Sequence, residues 1–124
     1  MLTTVIGAYP KPDYLKITDW FNAKGGTDTA NPTKHYAQEV NQMGEKAEEL
    51  FLNAADEVIK DQIECGIDVV TDGEVRRENY IHYHCRHIAG VDFNTLTEKA
   101  ARTGNYKCWL PTIVAKLEAQ DSFL

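Results

Sequence analysis

Two short segments carry residue types that suit work on a small ligand. Ile6-Gly7-Ala8 follows a β-branched run, and its glycine leaves backbone groups open to close approach. An ordinary tight turn uses glycine in the same way, so the segment gains meaning only from what faces it. Asp72-Gly73-Glu74 follows a second β-branched run and sets two carboxylates on either side of a glycine. Alone it reads as a turn with solvated acids. A third cluster, His82, His84, Cys85 and His87, invites a zinc reading, since imidazole and thiolate are the usual ligands. The spacing argues otherwise. On a helix His82 and His84 point about 200° apart, and only His84 and His87 share a face. No second CxxC or HxxxH completes four ligands. A polar, aromatic-rich helix packed beside a site is the better description, and a local His/Cys zinc site the weaker one.

The elements that would position these residues are legible from pattern. The span 2–6 reads as a strand stopped at Gly7, and Pro10 and Pro12 allow neither strand nor helix to continue. Leu15, Ile17, Trp20 and Phe21 form a compact amphipathic piece before the glycine-rich break over 24–28. Asn31-Pro32-Thr33 supplies a capping residue and a first-turn proline. From there Ala37, Val40, Met43, Ala47, Leu50, Ala54 and Val58 recur at steps of three and four, with Phe51 and Ile59 widening the stripe. That predicts one long helix over 33–65, closed by Gly66 in the left-handed conformation. The span 67–71 reads as a buried strand and 75–88 as a second helix ended by Ala89-Gly90. A short helix over 96–104 and a last strand over 107–114 follow, with Pro111 indicating an edge or an irregular start. Strand, long helix, strand implies a right-handed crossover and a parallel pair. Loops past the C-terminal ends of neighbouring parallel strands face one crevice, which would bring Gly7 and Glu74 together.

Composition narrows the function classes. Of 124 residues, 43% are apolar and 26% charged, and no apolar run is long enough to span a bilayer, so disorder and a membrane segment are both disfavoured. Thirteen Lys and Arg against nineteen Asp and Glu give a net charge of −6, with the basic residues scattered. Nucleic acid and anionic membranes are therefore not expected partners. Three well-separated cysteines, Cys65, Cys85 and Cys108, indicate reduced thiols. With no targeting pattern at the N-terminus, a cytoplasmic location is expected.

Thr3-Thr4-Val5-Ile6-Gly7-Ala8-Tyr9-Pro10, then Asp68-Val69-Val70-Thr71-Asp72-Gly73-Glu74-Val75-Arg76-Arg77-Glu78-Asn79-Tyr80-Ile81-His82-Tyr83, then Leu110-Pro111-Thr112-Ile113-Val114, together resemble the start of the catalytic barrel of the cobalamin-independent methionine synthase family and its single-barrel relatives. The resemblance implies an α/β fold, the N-terminal portion of a (β/α)8 TIM barrel with parallel strands and crossover helices. Such a barrel needs about 250 residues, so residues 1–124 are expected to form a single partial, incomplete domain. It also implies zinc-dependent methyl transfer from a methyltetrahydrofolate to the thiol of homocysteine. In that setting the backbone of Ile6, Gly7 and Ala8 would hold the main-chain groups of the amino-acid substrate, and Glu74 would pair with its ammonium, with Asp72 beside it.

This chain departs from the family's pattern at two of these positions. Ala8 stands where the family often has Ser, and Asp72 where methionine synthases tend to have His. The family's zinc ligands, a His, two Cys and a Glu, come from later strands, and His82, His84, Cys85 and His87 do not match them. The expectation is a truncated chain without its metal site, inactive alone and forming homo-oligomers through uncovered edges. The alternatives are a non-catalytic small-molecule or partner-binding fragment, a subunit completed by a second chain, or a methyl or alkyl transferase acting on another thiol.

Overall fold

The computed structural model describes residues 1–18, 32–101 and 106–120. In chain order these form α1 (Pro32–Met43), a 3-10 turn (Gly44–Lys46), α2 (Ala47–Glu64), α3 (His82–Cys85), β1 (Ile88–Ala101) and β2 (Tyr106–Ala119). The helix expected over 33–65 is thus two helices. Gly44 interrupts it at φ 59, an angle that glycine adopts without the Cβ penalty. The apolar stripe carries across the break. Phe51, Ala54 and Val58 are buried together with Leu15, Ile17 and Val75, and Val40, Met43, Ala47 and Leu50 pack against them. Ala37, assigned to the same stripe, is exposed. Burial of each large apolar side chain, at about 1.5–3 kcal/mol, is what holds the 9–18 segment and the loop around Val75 onto α2. Trp20, Phe21, the break over 24–28, Asn31 and Gly104 lie outside the described residues.

Gly66 closes α2 at φ 76, with the Ile67 amide donating back to the Gln62 carbonyl at 3.0 Å. Beyond it, 67–71 meets 2–6 in parallel, through a single bridge between Thr4 and Val69 rather than a full ladder. The Val69 amide donates to the Thr3 carbonyl at 3.0 Å, and the Thr4 hydroxyl donates to the Val69 carbonyl at 2.7 Å. Asp68 accepts from the Thr3 hydroxyl and amide, both at 2.8 Å, and these bonds hold its carboxyl below the usual carboxylate range. The expected burial of 67–71 does not occur. Val69 is 51% exposed, because among the described residues only the 2–6 segment pairs with it.

Three further expectations are corrected. The helix expected over 75–88 shrinks to the four residues of α3. Glu74 at φ 55 and a turn closed by the Arg77 amide on the Glu74 carbonyl, at 2.9 Å, occupy the start of that span. The Asn79 side chain then accepts from the amides of Ile81 and His82, at 2.9 and 3.0 Å, so the helix starts only there. The short helix expected over 96–104 is strand as far as Ala101, since Glu98, Lys99 and Ala100 pair across to Trp109, Cys108 and Lys107. Cross-strand pairing overrides their helix propensity. Finally, the strand expected over 107–114 lies in β2 and runs antiparallel to β1. The connection over 102–105 is too short for the crossover that a parallel pair needs. The two strands slip register between Ala89 and Val91 and between Asp92 and Thr97, so each bulges once. Gly90 sits at the first slip, where a Cβ would come within 2.4 Å of the Lys116 carbonyl oxygen. The described architecture is therefore α/β, with helices beside a two-stranded antiparallel sheet and one parallel bridge.

Candidate functional site

Loops 6–9 and 72–77 leave the same end of the parallel bridge and meet directly. The Tyr9 amide donates to the Gly73 carbonyl at 2.9 Å. Gly73 is buried at φ 67, and a Cβ there would lie 2.5 Å from Val58 Cγ1 and 3.2 Å from Tyr9 Cβ. Only glycine permits so close an approach of the two loops to α2. Gly7, at φ 93, has nothing among the described residues within 4 Å of its Cβ position, and Ile6 and Ala8 around it are exposed. The backbone of 6–8 is thus open on its outer side.

The second loop is fixed from below by Gln62. Its side chain is buried at the end of α2, donates to the carbonyls of Val58 and Thr71 at 3.0 and 2.8 Å, and accepts from the Thr71 amide at 2.9 Å. Every polar atom of the amide group is used, which is the condition for keeping it in a core. Sequence reasoning missed it. The available signal was a Gln standing four residues after Val58, where the stripe calls for an apolar residue.

Glu74 follows in a strained conformation, φ 55, with its amide donating to Asp72 Oδ1 at 3.0 Å. Left-handed angles for a long side chain are uncommon and concentrate at functional sites. The Glu74 carboxylate is 23% exposed and pairs with Arg77 at 2.9 Å, while Asp72 points to solvent. Arg76 turns the other way, donating to both oxygens of Glu48 at 2.8 and 2.6 Å over the ring of Phe51. Those bonds hold the Glu48 carboxyl below its ordinary range. A half-buried carboxylate beside open backbone suits a small molecule bearing an ammonium group.

The His-rich segment is built differently. His82 Nδ1 shares a hydrogen bond with the Thr33 hydroxyl at 2.7 Å and meets the Phe93 ring edge-on at 6.5 Å. Burial, and then the Arg86 charge, keep its pKa below the ordinary value. Tyr83 stands between His84 and His87, at 5.5 and 5.6 Å between ring centres. Among the described residues no three of His, Cys, Asp and Glu are grouped to hold a metal, and the zinc that the family resemblance implies does not fit this set.

What the segment contains instead is a buried ion pair. Arg86 Nε donates to Glu78 Oε1 at 2.9 Å, and a second guanidinium nitrogen donates to the Thr33 carbonyl at 3.1 Å. The guanidinium lies 4.6 Å from the Tyr36 ring centre and 4.3 Å from that of Phe93. Glu78 Oε2 is buried and has no hydrogen-bond partner among the described residues. Burial, with the Glu78 charge, pushes the Tyr36 hydroxyl up to about 12. A Glu and an Arg bracketing an aromatic run were the only sequence signal for it. A separate open groove of about 320 Å³ on α2, lined by Tyr14, Leu50, Asn53, Asp56, Glu57 and Lys60, shares no residue with the loops.

The chain belongs to the family described as cobalamin-independent synthase, catalytic domain, which matches residues 1–121. Methionine synthase from Sulfolobus acidocaldarius is 38% identical over 91 residues, covering 73% of this chain and 22% of that protein. Methionine synthase from Saccharolobus solfataricus is 30% identical over 122 residues, covering 98% and 31%. A solved B12-independent methionine synthase from Shewanella sp. W3-18-1, in complex with selenomethionine, superposes with a TM-score of 0.68 at 26% identity. That match covers 97% of this chain and 30% of the other. The chain therefore spans less than a third of the length of these relatives. No helix among the described residues is long and apolar enough to cross a membrane.

Proposed function

We propose that this chain carries the amino-acid-binding part of a cobalamin-independent methionine synthase, a soluble cytoplasmic enzyme passing a methyl group from methyltetrahydrofolate to the homocysteine thiol. The observation that carries the reading is the Tyr9–Gly73 hydrogen bond, 2.9 Å, which joins the two loops that sequence reasoning singled out. In this reading the main chain of Ile6, Gly7 and Ala8 holds the substrate's main-chain groups. Glu74 takes its ammonium, and Asp72 fixes the turn by accepting from the Glu74 amide. The selenomethionine held by the Shewanella relative supports an amino-acid ligand of this kind.

The fold proposed for the whole is a TIM barrel, of which these residues are the first part. Zinc supplies sulfur activation in such an enzyme, but the described residues offer it no ligand set, so no chemical step is assigned to this chain through it. The test is calorimetry with homocysteine and with methionine on the chain and on Glu74→Gln. Losing a hydrogen bond to a charged group, about 1.5–3 kcal/mol, gives roughly ten- to hundredfold weaker binding. Equal affinity for both proteins refutes the assignment of Glu74.

We also propose that the chain self-associates. Ile113, Val114 and Leu117 are 69%, 66% and 48% exposed on β2, and a two-stranded sheet is marginal by itself. A concentration-independent monomer in sedimentation would rule this out.

A further inference from the structure

We propose that Lys11 is a positioning residue that holds Glu74 through the backbone of Arg77; its functional half rests on the reading of Glu74 as the ammonium partner. Lys11 is only 4% exposed, and its Nζ donates to the Arg77 carbonyl at 2.9 Å. Two residues earlier, the Tyr9 amide donates to the Gly73 carbonyl at 2.9 Å. One short stretch thus grips the turn on both sides of Glu74. Between the two grips, Glu74 sits at φ 55, and the Arg77 amide donates to its carbonyl at 2.9 Å. A non-glycine residue stays in that region only when its surroundings over-determine it. The gripping stretch is itself stiff. Pro10 and Pro12 fix their own φ, and Pro12 restricts Lys11 to extended backbone. A buried ammonium is retained only where its acceptors are in place. One of these acceptors is the main chain of the substrate loop, so the charge of Lys11 is tied to the shape of that loop.

The test compares the chain with Lys11→Met, which keeps most of the stem and removes the donor, and Lys11→Arg, which keeps a donor. Tyr14→Phe, which removes an exposed bond to Glu57 at 2.9 Å, serves as a control for general destabilisation. Amide hydrogen exchange is followed at 74–77 and in α2, and methionine affinity is measured on the same samples. Lys11→Met is expected to speed exchange at 74–77 by tenfold or more relative to α2 and to weaken methionine binding about tenfold. Lys11→Arg and Tyr14→Phe should do neither. If Lys11→Met does not fold, Lys11→Gln is read by the same criteria. Exchange that rises equally in the turn and in α2 overturns the proposal. So does unchanged methionine affinity in a Lys11 variant when Glu74→Gln has lost it. If Glu74→Gln binds normally, the reading of Glu74 fails, while the exchange data still decide whether Lys11 clamps the turn.

Discussion

Gly73 is the point at which the site and the core can be weighed against each other. Its φ of 67 places it in the left-handed region, and a Cβ would lie 2.5 Å from Val58 Cγ1 and 3.2–3.3 Å from Tyr9. Gly66 has a similar angle, 76°, with nothing among the described residues within 4 Å of its Cβ position. Gly→Ala at either site costs about 1–2 kcal/mol for the conformation, offset by about 0.4–1 kcal/mol from a less flexible unfolded chain. Gly73→Ala carries in addition the overpacking against Val58, about 1–3 kcal/mol. The two variants share the backbone contribution, so their difference isolates the contact. Urea unfolding followed by far-UV circular dichroism should find Gly73→Ala less stable than Gly66→Ala by about 1–3 kcal/mol. Val58→Ala combined with Gly73→Ala should recover part of that loss, giving a coupling of about 1 kcal/mol or more. Two single variants within about 0.5 kcal/mol of each other, or a double variant that is simply additive, would refute a close approach of the loop to α2.

Two further outcomes follow from the buried groups around α3. His82 has a folded pKa below its ordinary value, so its neutral form is favoured in the folded state. Its contribution is complete above about pH 6.5 and falls as acid is added, because the unfolded chain takes up the proton first. Urea midpoints at pH 7.5 and pH 5.5 should differ less in His82→Gln than in the parent chain, and an unchanged difference would count against the burial of this ring. For the Glu78–Arg86 pair, side chains 0% and 17% exposed, the two halves are not equivalent. Arg86→Met strands a buried carboxylate and should cost about 3–5 kcal/mol, whereas Glu78→Gln leaves an arginine that still bonds Thr33 and stacks on two rings, and should cost about 1–2 kcal/mol. The reverse order in urea denaturation would be decisive against it.

The parts of this chain that were legible in sequence are those fixed by local chemistry. The stripe from Val40 to Val58 announces helix, though not its break at Gly44, and the glycine after Cys65 announces its end, because period and left-handed preference act within a few residues. The meeting of the loops over 6–9 and 72–77 is expected from topology. The Tyr9–Gly73 bond and the Thr4–Val69 bridge are the contacts on which it rests. What was not legible depends on partners distant in sequence. Glu98-Lys99-Ala100-Ala101 favours helix locally and is strand only because 106–109 pairs with it. The span 75–81 has helical composition, yet Asn79 withdraws two amides from the first turn and Glu74 bends the chain before it. Gln62 and Glu78 look like solvated residues until the Thr71 backbone and Arg86 are found against them.

Glu74 also says something about how this sequence would respond to selection. A Gly or Asn at that position would accept a φ of 55 with less strain. A population of variants screened for thermal resistance alone would be expected to drift toward those residues and discard the carboxylate. The drift would leave the turn, the Asp72 side chain and the Tyr9 bond in place, since none of them requires an acid there, and would remove only the ion pair with Arg77. If Glu74 binds the ammonium as proposed, position 74 is where stability and ligand binding pull on this chain in opposite directions, and where a lineage that had stopped using the site would show it first.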